Sequence, residues 1–479
     1  MKASEYQSYD ALGLAQLLRS GAVQPKELMA CAIALAEARN PALNALCYER
    51  YAESLELAAT APLRGVFGAL PFLLKDTATA STRFPTSLGS RLFEGTEFKS
   101  DSNLMQRFDA AGLIPFARTT APEFSMAPTT EAVRNGGPTR NPWDLSRSTG
   151  GSSGGAAAAV AAGIVPMAHG SDGGGSIRIP AACCGIYGLK PSRGLVPFGP
   201  ARGEGWGGLA VDGVLSRTVR DTAAALDAIA GIDVGAPYAA PPRPESYLDR
   251  LLLPFDRPLK IAMWSSAWEG IPIDAECASA LAHAARLLTS LGHEVIDAPL
   301  PDLPYNKFLQ AHIDVLATNI VASINGKVRG KPASEWQHLL EPAIFDGYQY
   351  GTTLSAEKYV MAINRFHSVA RLLETYIAKY DFILTPTLTK PPAPLGHIST
   401  ETDFHSFRRR VGQYTTFLAI INASGQPAAS IPLSMSDGGL PIGVQLIGHF
   451  GAEDEVLRLS AQLEKAAPWA DRWPPIAAA

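Results

Sequence analysis

Apolar positions recur at helical spacing through residues 8–60, in "ALGLAQLL" and "ELMACAIALAEA", and predict an N-terminal helical layer broken at "NPALNAL". From "GVFGALPFLLKD" onward the pattern changes to short apolar runs separated by Gly, Pro, Asn and Thr, including "AGLIPFART" and "AAGIVPMAHGSD". That alternation suits the strands and helices of a large mixed sheet, with chemistry expected at strand ends. Residues 233–258 are Pro-rich and read as a surface connection. "LKIAMWSS" restarts as a strand and helical patterns follow to about residue 380. "YDFILTPTLTKPPAP" and "GLPIGVQLIG" then predict two further strands, and "EDEVLRLSAQLEKAA" a closing helix.

A chain of 479 residues exceeds what one simple core sustains, so two domains or one elaborated α/β domain is expected. The hydrophobic fraction of 47% and charged fraction of 18% describe a globular protein rather than a disordered one. A net charge of −4 without any Lys/Arg block argues against a nucleic-acid partner and makes small molecules the default. The start, "MKASEYQSYDALGLAQLLRSG", has no apolar leader, and the longest weakly polar run is interrupted by Gly163 and Pro166. The expectation is a cytoplasmic protein without membrane spans. The five cysteines are odd in number and scattered, which reads as buried thiols, and no His spacing suggests a metal site.

"SDGGGSIRIPA", residues 171–181, strips side chains from the approach to Ser176. Successive backbone N–H groups without Cβ obstruction suit a developing oxyanion, and Gly173, Gly174 and Gly175 fit that role. A serine nucleophile needs a base. Spacing alone leaves a Ser-His-Asp arrangement open, but none of the histidines lies in a motif of comparable quality, and His169 reads as part of an apolar strand end. Lys75, in "LPFLLKDTA", follows an apolar strand, where desolvation would favour its neutral, proton-accepting form. "STGGSSGGAAAAVAAG", residues 148–163, reads as a helix N-terminus at which Ser152 or Ser153 could cap. A phosphate loop is the competing reading of its glycines, yet no Gly-Lys-Ser/Thr follows.

Taken together, "PFLLKD", "PTRNPWDLSRSTGGSSGGAAAAVAAG" and "GSDGGGSIRIPAACCGIYGLKPSRG" resemble the amidase signature family, and the likeness extends to "DFILTPT" and "NASGQPAASIPLSMSDGGLPIGVQLIG". The resemblance implies an α/β amidase signature fold, a large mixed β-sheet core covered by helices on both faces, forming a single domain over 1–479. Its parts would be a helical layer (1–65), the catalytic core (66–232), the Pro-rich connection (233–258), a variable substrate-covering region (259–400) and a C-terminal return (401–479). It also implies a Ser-Ser-Lys triad: Ser176 as nucleophile, Ser152 as bridging serine beside a cis peptide bond, and Lys75 as base. The oxyanion hole falls on the N–H groups of Gly173, Gly174, Gly175 and Ser176. Ser153, Asp172 and Arg178 take supporting positions, and Met126 and Ser152 face the acyl pocket. No cofactor is implied.

Within the family, the second half is most similar to 6-aminohexanoate cyclic dimer hydrolases and amidase-type urethanases. The resemblance therefore implies hydrolysis of small apolar or aryl amides, and of carbamates, by a monomer or homodimer through an acyl-enzyme. An amidotransferase subunit acting on glutamyl-tRNA and a noncatalytic binding protein are the alternatives. Trp336, Phe345, Tyr348 and Tyr350 either cover an apolar pocket or pack among themselves.

Overall fold

The computed structural model describes residues 1–478. The N-terminal layer is formed by the helices Ala3–Gln7, Ala11–Ser20, Pro25–Leu43 and Tyr51–Thr60. The expected break at "NPALNAL" falls later than predicted, because Pro41 is accommodated inside the third helix. There Asn44 turns into the left-handed region and the Asn40 side chain accepts the N–H groups of Ala45 and Leu46, closing the helix end.

This layer packs on a three-stranded sheet of β1 (Leu46–Cys47), β2 (Leu70–Lys75) and β3 (Leu113–Thr119), in the order β1-β3-β2. A hairpin follows, β4 (Arg140–Asn141) with β5 (Asp144–Ser148). The main sheet contains β6 (Met167–Asp172), β7 (Tyr187–Lys190), β8 (Val211–Ser216), β9 (Lys260–Met263), β10 (Glu294–Asp297), β11 (Phe382–Pro386), β12 (Ala428–Met435) and β13 (Pro441–Ile447). Its order is β10-β9-β11-β13-β12-β7-β8-β6. Only the β10/β9 and β9/β11 pairs are parallel, so the sheet is mixed.

Successive residues of the central strands enter opposite cores, as the strand period of two requires. Ile261, Leu384, Ala429 and Leu446 pack with the helices Ala275–Ser290 and Glu453–Ala466. Their neighbours Ala262, Ile383, Ala428 and Ile447 pack with the helices Tyr305–Val328 and Ala356–Ile377. Helices thus cover both faces. Strands β10 and β12 escaped sequence reading: β10 is a four-residue, half-exposed edge, and β12 begins directly after a Gly-Gln-Pro turn. The Pro-rich connection is mostly irregular, as expected, but holds a single helical turn, Tyr247–Arg250, anchored by the buried Tyr247.

Candidate active site

Lys75 is the last residue of β2, a strand buried along its whole length. Its side chain is completely enclosed, and its Nζ donates to Ser152 Oγ at 2.7 Å and Ser171 Oγ at 2.8 Å. Burial pushes the ammonium down from the ordinary 10.5 to about 7, with the charges of Asp212, Asp172 and Asp76 pulling weakly the other way. A lysine in this state exchanges a proton readily at neutral pH.

Ser152 follows a cis Gly151–Ser152 peptide, just before the buried helix Gly154–Ala161. The expectation that Ser152 or Ser153 caps this helix is not met. Ser152 Oγ is turned to Lys75, and Ser153 Oγ bridges the backbone N–H and C=O of Ser171, both at 3.2 Å, leaving no cap bond. The glycines that follow serve close packing. A Cβ at Gly154 would fall 2.2 Å from Thr130 Oγ1, and one at Gly155 would fall 2.5 Å from the Ala45 carbonyl.

The glycine loop runs from the end of β6 to Ser176. Asp172 accepts the Gly175 N–H at 2.7 Å and the Ile177 N–H at 3.2 Å, one bond on either side of the serine. This corrects the oxyanion assignment, because the Gly175 N–H is held by a carboxylate and is not free for a ligand. The N–H groups of Gly173, Gly174 and Ser176 meet no acceptor among the described residues. Burial opposes ionisation of Asp172, but the charge and hydrogen bonds of Arg178, with Asn422, outweigh it and hold the carboxyl well below the usual range. The ring of Trp206 lies against Gly173, and His312 against Gly174.

Ser152, Ser171 and Ser176 open together on a cavity of about 100 Å³ whose apolar walls include Phe124, Met126 and Trp206. Three larger clefts, of about 590, 600 and 660 Å³, contain none of these serines and no part of the glycine loop. The three serines and Gly173 share the small cavity. Aromatic and thioether groups on one side, with the serines, Asp212 and Arg202 also in the lining, suit a compact substrate that joins an apolar to a polar part.

The sequence model of the Amidase family matches residues 27–457. The chain belongs to the amidase signature family. As an amidase, it is 35% identical over 484 residues to the 6-aminohexanoate-cyclic-dimer hydrolase of Paenarthrobacter ureafaciens, covering 97% of this chain and 96% of that protein. A solved structure of 6-aminohexanoate cyclic dimer hydrolase complexed with substrate superposes with a TM-score of 0.91 at 33% identity, over 98% of this chain and 99% of that one. A bacterial aryl acylamidase structure follows at 0.87 and 30% identity, covering 98% of each chain.

Several residues of the amidase site were not singled out by sequence. Ser171 lies within the quoted "SDGGGS" yet contacts Lys75 as directly as Ser152 does. Asn422 and Gln445, from the C-terminal return, both accept from Arg178 at 2.6 Å. Asp212 lines the cavity; its signal is a lone carboxylate in the apolar strand "VDGVLS". His169 accepts the Lys75 backbone N–H at Nδ1, 3.3 Å away.

Trp336, Phe345 and Tyr348 pack on one another with ring centroids 5.1–6.4 Å apart, and neither they nor Tyr350 lines the cavity. They form a layer behind Phe124 and Met126. Cys31 is half-buried, whereas the other four cysteines are buried as expected. Among the described residues no helix is long and apolar enough to cross a membrane, and no group of His, Cys, Asp and Glu could hold a metal ion.

Proposed function

We propose that this amidase hydrolyses small apolar or aryl amides, and aryl carbamates with them, through an acyl-enzyme on Ser176. The observation that carries the reading is the 2.7 Å contact from the buried Lys75 to Ser152, which lines the same cavity as Ser176. In the neutral amine state Ser152 gives its proton to Lys75 Nζ while taking the proton of Ser176, whose Oγ attacks the carbonyl carbon. The carbonyl electrons move onto oxygen, and the N–H groups of Gly173, Gly174 and Ser176 receive that charge. Lys75 then returns its proton through Ser152 to the departing nitrogen. Water repeats the sequence on the acyl-enzyme and releases the acid.

The apolar walls favour an uncharged acyl group. Two relatives, a 6-aminohexanoate-cyclic-dimer hydrolase and an aryl acylamidase, support that substrate class. The decisive test measures initial amine release by wild type and Ser176→Ala from an anilide, an aryl carbamate, 6-aminohexanoate cyclic dimer, an aliphatic amide and glutamine. An anilide, carbamate or cyclic dimer should lead and the variant should be silent. Turnover of glutamine alone, or full activity in Ser176→Ala, would overturn the reading.

A further inference from the structure

Three carboxylates lie near the buried amine of Lys75, and they differ in what holds each of them. Asp172, at the end of β6, is bonded to the Arg178 guanidinium on both oxygens. Asp76, immediately after β2, accepts from Thr86 Oγ1, from Ser87 at both N and Oγ, and from the Gly89 N–H, so the 86–89 turn solvates it. Asp212, on β8, has no guanidinium or ammonium within salt-bridge distance, and its one side-chain partner is His169.

Strand register explains its position. Ser171 of β6 pairs directly with Asp212 of β8, so both side chains stand on the same face of the sheet. His169, two residues before Ser171, shares that face, and its Nε2 lies 3.1 Å from Asp212 Oδ1. The tautomer of His169 is set by its other nitrogen, since Nδ1 accepts the backbone N–H of Lys75. The ring proton therefore sits on Nε2 and is donated to Asp212. One backbone group of Lys75 thus orients the histidine, the histidine orients the carboxylate, and the carboxylate faces the lysine across Ser171. Its second oxygen takes no protein donor, and the residue lines the cavity of Ser176.

We propose that Asp212, held by His169, is the positioning counter-charge that stabilises the Lys75 ammonium formed when the lysine accepts the Ser176 proton through Ser152. The inference rests on Lys75 acting as base. Desolvation alone makes a buried lysine a poor proton acceptor. A fixed carboxylate offsets part of that cost in the protonated state, which exists in the tetrahedral intermediate and must then release its proton to the leaving nitrogen. Arg202, which lines the cavity, is the cation that opposes Asp212 from the 198–210 loop, and Arg118 of β3 gives its donors to the backbone carbonyls of Lys75, Thr79 and Phe84.

Asp212→Asn keeps an acceptor for the His169 N–H while removing the charge. With the anilide substrate, the acidic limb of kcat/KM should move about one pH unit toward acid, because the ammonium loses its counter-charge and gives up its proton more easily. The plateau kcat should fall about tenfold as the base weakens, KM should stay within about twofold, and Asp212→Glu should restore the wild-type limb. Asp212→Ser carries the same expectation if the asparagine variant does not fold. An unmoved limb, or a raised KM with intact kcat, would overturn the proposal, the latter making Asp212 a substrate contact. Fluorophosphonate labelling of Ser176 separates the two levels: a wild type that is labelled, with an unmoved limb in the variant, refutes only the role of Asp212. A wild type with neither label nor limb refutes the lysine mechanism, and the role of Asp212 with it.

Discussion

Asp172 and Arg178 form a bidentate ion pair with both side chains fully buried, Nε to Oδ2 and Nη2 to Oδ1, each at 2.9 Å. The same two carboxylate oxygens hold the N–H groups of Gly175 and Ile177. Ser176 is therefore suspended between two backbone bonds to one carboxylate, and that carboxylate is kept ionised by one guanidinium. Gln445, Asn422 and the Leu418 carbonyl take the remaining donors of Arg178, so the clamp spans the glycine loop and the C-terminal return.

Breaking that pair should affect both fold and activity. Arg178→Met leaves Asp172 buried without its counter-ion and is expected to destabilise the protein by about 3–5 kcal/mol. Denaturant melts of the variant would show the lower midpoint. At temperatures where it remains folded, kcat should drop more than KM changes, because the loop around Ser176 loses its anchor.

The pH dependence follows from Lys75. Only the free amine accepts a proton, so kcat/KM should rise with pH through about 7 along a single acidic limb. Lys75→Ala should lose about a thousandfold or more in kcat and with it that limb. Stability has a matching sign. The folded value is depressed from 10.5 to about 7, so between these values the unfolded chain binds more protons and this lysine's contribution to stability grows as pH rises. It is lost as pH falls through 7. Thermal melts across this window on wild type and Lys75→Ala would isolate the contribution as the difference between the two slopes.

The glycine loop should respond unequally to added methyl groups. A Cβ at Gly173 would approach the Trp206 ring to 2.5 Å, whereas one at Gly174 would meet His312 at an ordinary 3.5 Å. Gly173→Ala should therefore displace Trp206 into the cavity and depress kcat/KM by about tenfold or more. Gly174→Ala should fold normally and retain most of its turnover. Parallel kinetics and melts of the two variants would show the contrast, and equal damage would mean that Trp206 does not shape the site.

Cavity walls should set the size of the acyl group. Met126 is 4% exposed and lines the cavity with Trp206. Met126→Ala enlarges the space and should favour a bulkier acyl anilide over acetanilide by about tenfold in the kcat/KM ratio, at a stability cost of about 2 kcal/mol. A ratio unchanged from wild type would remove Met126 from the acyl pocket.

What the sequence determined by itself was local. The "LPFLLKD" run announces a strand that ends on a charged residue, and "SDGGGS" announces a backbone with its N–H groups uncovered, because both signals depend only on neighbours along the chain. The family motifs extended this to the mixed sheet and to the residues Lys75, Ser152 and Ser176. Tertiary structure decided which donors and acceptors meet. Gly175 appears equivalent to its neighbours in sequence, yet its N–H is taken by Asp172. Asp212 reads as an odd carboxylate in an apolar strand until the β6/β8 register sets it opposite Ser171. Trp336 and Phe345 leave pocket cover and packing both open in sequence, and the fold makes them packing, while Phe124 and Trp206, from short irregular segments, line the cavity. Cross-strand register, burial and the pairing of groups separated by 40 to 270 positions are properties of the folded chain, and the charge state of Lys75 depends on all three.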